Sequence, residues 1–177
     1  MALLSDVRSR GVAVGVLTNS LATTDAPAVH IGYSRYREPL LAMGVDIFEL
    51  KPKLGQRNTS LGSFGSSQAS LHAKSLVIDD STVVVGSMNL DPRSANLNTE
   101  IGVVIRSREL AQQLTRLYQD VGRDSSWRLS TDASHQLRWT SSPQDGPQVS
   151  ATDEPEASAG RKLLMKLLAP FAPESML

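Results

Sequence analysis

An α/β fold, with a mixed and partly parallel β-sheet flanked by helices, is predicted by three features of this sequence. Residues 12–50 read as strand, helix, strand. Residues 75–85 read as a hairpin of β-branched residues, and residues 100–121 as a strand followed by an amphipathic helix. A strand–helix–strand unit of this length pairs its strands in parallel through a right-handed crossover, whereas a hairpin is antiparallel, so the sheet is mixed.

The chain opens on a helical face marked by Leu3, Leu4 and Val7 and closed by Ser9-Arg10-Gly11, after which the apolar run 12–17 suits a buried strand. Asp25-Ala26-Pro27 predicts a helix start, with the Asp25 carboxylate as cap and proline in the first turn. Val29, Tyr33, Tyr36, Leu40 and Leu41 carry its apolar residues on to Gly44, and the strand 45–50 follows at once. Residues 51–70, rich in Gly, Ser and Gln, predict a loop: either a plain connector or the rim of a substrate entrance. In the hairpin, Asp79-Asp80-Ser81 is the turn between strands 75–78 and 82–85. The polar excursion 91–98 returns to a strand at 100–105. Ser107 then precedes a helix whose Leu110, Leu114, Leu117 and Val121 make one buried stripe. Trp127 and Trp139 flank a short ambiguous piece and read as core or edge anchors.

These elements place one domain at 1–139. From 140 to 160 the composition turns to Ser, Pro, Asp, Glu and Gln, which predicts a flexible linker. Residues 161–177 form a basic amphipathic tail, in which Leu163, Leu164, Leu167 and Leu168 stand against Lys162 and Lys166 until Pro170 ends the helix. Packing onto the domain is the plain reading of this helix; contact with a membrane surface is the sharper one.

Composition narrows the function classes. The 177 residues suffice for one sizeable core, and the 18 basic and 18 acidic residues cancel, so no basic field draws nucleic acid to the chain. Cysteine is absent, which excludes disulfides and thiolate metal sites. No apolar run approaches the ~20 residues that span a bilayer, and the first ten residues lack a signal-peptide layout, so work on membrane lipid would proceed from the surface.

Chemistry concentrates between Leu71 and Val104. His72 and Lys74, two apart on a strand, share a face. Asp79 has the opposite parity and lies roughly 16 Å beyond Lys74 on an extended strand, which makes it structural. Gly86 permits a tight path after which Ser87 and Asn89 can point together. The set His72, Lys74, Asp79, Gly86, Ser87 and Asn89 fills the pattern H-x-K-x4-D-x6-G-S-x-N. That pattern resembles the signature of the phospholipase D superfamily. The stretches TNSLATTDAPAVHIGYSRYREPLLAMGVDIFELKP and SMNLDPRSANLNTEIGVVI resemble bacterial cardiolipin synthases, and the likeness covers about residues 1–121 and, more weakly, the tail.

The resemblance implies a phosphohistidine mechanism that needs no metal and no cofactor. His72 as neutral imidazole would attack phosphorus, while Lys74, Asn89 and Ser87 would hold the phosphoryl oxygens. Glu100 matches the acidic residue that the family places near the histidine, where it would accept the remaining His72 N–H. His30 has no partner by spacing and reads as a helix-surface or wall residue; His135 reads as incidental. The substrate implied is a phosphatidylglycerol-like phospholipid, at the cytoplasmic face of the bacterial inner membrane and bound peripherally.

One departure matters. Cardiolipin synthases of this type carry two such motifs, one histidine acting as nucleophile and the other as general acid, whereas this chain carries one. The second histidine would come from a missing N-terminal half or from a second copy in a homodimer. The alternatives are a dimeric single-motif phosphodiesterase or endonuclease, which the balanced charge disfavours, and an inactive fragment.

Overall fold

In the computed structural model, which describes residues 1–52, 70–89, 94, 96–142 and 147–171, eight strands are arranged in two sheets. They are β1 (Gly15–Asn19), β2 (Asp46–Leu50), β3 (Ser75–Ile78), β4 (Thr82–Gly86), β5 (Gly102–Arg106), β6 (Ser126–Thr131), β7 (Leu137–Thr140) and β8 (Ser150–Ala151). The fold is α/β with mixed pairing. β1 and β2 run parallel, Gly15 opposite Asp46 through Asn19 opposite Leu50, and the five-stranded sheet continues antiparallel in the order β1-β2-β6-β7-β8. The antiparallel sheet β3-β4-β5 carries the motif. The expected loop at 51–70 and the excursion at 91–98 fall largely outside the described residues.

After α1 (Ala2–Ser9), the crossover between β1 and β2 holds two helices where one was expected, α2 (Pro27–Ser34) and α3 (Arg37–Ala42). Pro39 explains the break. It has no N–H and its ring would clash with the carbonyl four residues back in a continuous helix, but in the first turn of a new helix neither matters. The start of α2 also differs: Ala26 is the N-cap, with no side-chain cap bond, so Asp25 does not cap it.

Leu40, Val45, Ile47, Trp127, Leu129 and Trp139 form the core of the larger sheet, each such burial stabilising by about 1.5–3 kcal/mol. The ambiguous piece between the tryptophans is the β6–β7 hairpin, and both rings are core. Glu49 of β2 is fully buried in this apolar setting, a cost that only complete pairing offsets. Arg37 Nε (2.8 Å) and Tyr33 Oη (2.9 Å) donate to its Oε1, and Trp139 Nε1 (2.8 Å) donates to its Oε2.

Within the stretch expected as a flexible linker at 140–160, the described residues make specific contacts. β8 pairs with β7, Glu154 Oε1 accepts from Arg37 Nη1 at 2.6 Å, and Glu156 accepts from Trp127 Nε1 at 3.2 Å. Specific polar anchors hold this segment together with Ala151, which packs against the core, and the buried Pro155. It leads into α5 (Ala159–Leu168), which lies against α2.

The helix α4 (Arg108–Asp124) starts where expected, Ser107 Oγ accepting from Leu110 N at 3.2 Å. It packs across β2 and β6 of one sheet and β3 and β4 of the other. Leu110, Leu114 and Leu117 are half-buried and Val121 is buried. Gly122 makes a close approach, since a Cβ there would sit 3.2 Å from the Phe48 ring, tighter than an ordinary van der Waals contact.

Candidate active site

The motif residues divide into a reactive end and a turn. Gly86 N donates to Lys74 O at 3.0 Å, so the β3–β4 pairing extends back to Lys74. Lys74 Nζ lies 3.1 Å from His72 Nε2. An ammonium only donates, so in this contact Lys74 is the donor and Nε2 the acceptor.

Asp79 is at the opposite end of β3. Both Asp79 and Asp80 have positive φ, 50° and 48°, in a turn closed by Ser81 N donating to Ile78 O at 3.2 Å. Aspartate is among the few residues other than glycine that adopt this region readily. Asp80 is tied to α4 by Thr115 Oγ1 at 2.9 Å.

Gly86 passes so close to β5 that a Cβ would lie 2.6 Å from Ile101 O, so glycine alone fits. The next residue, Ser87, is fixed by its N donating to Ile101 O at 3.0 Å and its Oγ accepting from Ile101 N at 3.1 Å. Its hydroxyl donates to Glu100 Oε2 at 2.5 Å, and Asn98 Nδ2 donates to Oε1 at 3.2 Å. The Ser87 hydroxyl above all, then Asn98, Ser94 and the charge of Lys74, hold the Glu100 carboxyl below the usual carboxylate range against some opposing desolvation. Asn89 is exposed.

The structure therefore brings together His72 with Lys74, and Ser87 with Glu100. The bond expected from His72 to Glu100 is not among the contacts of the described residues, where Glu100 is instead taken up by Ser87 and Asn98. Two residues near the site escaped the sequence reading. Asn98 lies two before Glu100, a same-face spacing that could have flagged it. Asn19 reaches Leu71 from 52 positions away, which no local pattern signals.

His30 is not a surface residue. It is buried, with Nε2 2.9 Å from Arg37 Nη2 and 3.3 Å from Glu154 Oε1. Burial pushes the Glu154 carboxyl up, but the contact with His30 and the charge of Arg37 outweigh it and bring it down to about 2.

Comparison with known proteins agrees with the motif. Residues 1–121 match the family model described as "Cardiolipin synthase, PLD-like domain". The chain is 41% identical to cardiolipin synthase C of Escherichia coli K12 over 167 residues, which is 93% of this chain and 35% of that protein. It is 32% identical to an uncharacterized protein of Helicobacter pylori J99 over 93% of this chain and 32% of the relative. Against cardiolipin synthase B of Escherichia coli K12 the identity is 31%, over 59% of this chain and 21% of the relative. The chain thus spans about a third of the length of the first two relatives, and no solved structure matches it significantly. A match to the family model over residues 1–121, together with the complete motif, places the chain in the cardiolipin synthase family of phospholipase D-like domains.

Proposed function

We propose that this chain supplies one histidine of a phospholipid phosphatidyltransferase of cardiolipin synthase type. The observation that carries the reading is the His72–Lys74 pair at 3.1 Å inside a complete family motif. His72 Nε2 attacks the phosphorus of a phosphatidylglycerol-like diester, a P–N bond forms, and the P–O bond to the leaving alcohol breaks. That alkoxide takes a proton from a second histidine. An acceptor alcohol then attacks the phosphohistidine, returns its proton to the second histidine, and releases His72. Lys74, Ser87 and Asn89 hold the phosphoryl oxygens, Glu100 orients the polar wall through Ser87, and Asp79 and Gly86 shape the backbone.

The second histidine comes from another half, either the remainder of a longer protein or a second copy across an isologous interface. The three-stranded sheet supports this. Leu76, Val84 and Val104 form one cross-strand row on the same face as Ile78, and Leu76 and Val104 are 57% and 64% exposed. Lys74 continues the phase of that face, so a body covering it also meets His72.

Among the described residues no helix is long and apolar enough to cross a membrane. We place the protein peripherally on the cytoplasmic face of the inner membrane, with Leu163 and Leu167 of α5, 59% and 60% exposed, entering the interface and Lys166 meeting anionic headgroups. The test is turnover: purified chain, alone and mixed with a candidate second half, on phosphatidylglycerol vesicles, with Leu163→Ser/Leu167→Ser as the flotation control. Cardiolipin or phosphatidic acid formation supports the reading. No product in either arrangement, or His72-dependent DNA cleavage instead, overturns it.

A further inference from the structure

We infer that Asn19 is a positioning residue for His72 and that the C-terminal segment braces it through Arg161. The expected effect on turnover rests on the phosphohistidine reading; the clamp rests on geometry alone. Asn19 ends β1, and its side chain takes both backbone groups of Leu71: Nδ2 donates to Leu71 O at 2.8 Å, and Leu71 N donates to Oδ1 at 2.8 Å. Here a side chain makes the pair of bonds that a neighbouring strand would make, at the residue immediately before His72. The described strands of the two sheets do not pair with each other, so this amide joins their backbones beside the nucleophile.

The clamp is itself held. Thr23 Oγ1 donates to Asn19 Oδ1 at 3.3 Å, within a buried turn in which Thr23 N and Thr24 N donate to Ser20 O at 3.1 and 3.0 Å. The outward carbonyls of that turn converge on one guanidinium. Arg161 Nη1 donates to Leu21 O (3.0 Å) and Ala22 O (2.9 Å), and Nη2 donates to Thr24 O (3.0 Å). A planar fork can serve three carbonyls at once, whereas an ammonium on a flexible stem cannot hold the same geometry. Arg161 lies in the first turn of α5, which is capped by Ser158 and tied back by Arg35 donating to Ala169 O at 2.9 Å. A continuous set of contacts thus runs from the C-terminal helix to Leu71, the residue immediately before the reactive ring.

Asn19→Ala, Asn19→Asp and Arg161→Lys test this in the full chain. The readouts are amide hydrogen exchange at Leu71, with Val83 as the core reference, and the nuclear Overhauser contact between the His72 ring and the Lys74 side chain. Asn19→Ala should speed Leu71 exchange roughly tenfold or more, leave Val83 unchanged, and abolish the His72–Lys74 contact. Asn19→Asp should keep the Leu71 amide protected, because it still accepts, yet weaken the His72–Lys74 contact, because its carboxylate repels Leu71 O. Arg161→Lys should give a smaller rise at Leu71, and it carries the test where Asn19→Ala does not fold. Where the unmodified chain turns over phosphatidylglycerol, Asn19→Ala should lower kcat about 10²-fold with KM little changed. Unchanged Leu71 exchange with a retained His72–Lys74 contact overturns the inference, as does an altered contact with wild-type kcat. An unmodified chain without turnover both alone and with a candidate second half, but with the expected changes at Leu71 and His72, sinks the transferase reading and leaves the clamp standing.

Discussion

The five-stranded sheet buries Ile47, Leu129 and Trp139 and closes its one deep carboxylate, Glu49, with three donors, while the three-stranded sheet leaves Leu76, Ile78 and Val104 in water. The first region has its hydrophobic and ionic requirements met by the chain itself. The second is stiff, being strand-paired and backed by α4 over the buried Val83, but its other face is apolar and uncovered among the described residues. On the proposed function, this apolar patch beside His72 and Lys74 is a docking surface for another body. On the same proposal, stability and function are carried by different sheets, and substitutions in the two should separate cleanly.

The sharpest separation is His72→Asn. The side chain is exposed, so the urea midpoint should not move, while phosphodiester turnover in any active assembly should fall by at least about 10⁴-fold because the proposed nucleophile is gone. Residual turnover near wild type would remove the phosphohistidine step. Arg37→Leu is the converse. It leaves the Glu49 carboxylate in the core without its cation, and removing one partner of a buried pair costs about 3–5 kcal/mol. Urea unfolding should shift accordingly, and exchange at β3 and β4 should respond less than exchange at β2. A uniform loss of protection would mean that the two sheets form one cooperative unit.

Glu154 sharpens the comparison through pH. Its folded-state pKa is depressed to about 2 from an ordinary 4.5, so its contribution is complete above pH 4.5 and is lost as pH falls toward 2. The size is on the order of 3 kcal/mol. The stability gap between wild type and Glu154→Gln should be widest near neutrality and close over that window. A gap that persists at pH 2 would assign Glu154 to packing rather than charge.

What the sequence made legible was local. The motif spacing located the hairpin, its turn at Asp79-Asp80 and the glycine at position 86, because each depends on neighbours within a few residues. The parallel pair β1–β2 followed from strand–helix–strand order. The network around Arg37 was hidden because its partners stand 12 and 117 positions away, at Glu49 and Glu154. The contacts of the C-terminal segment were hidden for a related reason. Composition measures how much apolar surface a stretch can bury, but Glu154, Glu156 and Arg161 dock through single directed bonds that composition does not register. At the site, parity put His72 beside Lys74, whereas pairing Glu100 with Ser87 needed the β4–β5 register.

The smallest expected effect on the isolated chain is the most informative about assembly. Val104→Ser removes a methyl-bearing surface from a side chain already 64% exposed, so folding stability should change by no more than about 0.5 kcal/mol. If the face formed by Leu76, Val84 and Val104 is covered in the working enzyme, the same substitution forfeits about 1–2 kcal/mol of burial at each copy of the interface. Sedimentation equilibrium should then show association weakened roughly 5- to 30-fold, with turnover recovering as protein concentration is raised. Leu76→Ser, in the same cross-strand row, should reproduce the effect, whereas a substitution at Leu163 on α5 should leave association unchanged. Because Lys74 lies in phase with this row and His72 is in contact with it, a partner docked here would, on the proposed function, be the nearest source of a second histidine. Identical association and turnover in Val104→Ser would mean that the general acid approaches His72 from elsewhere.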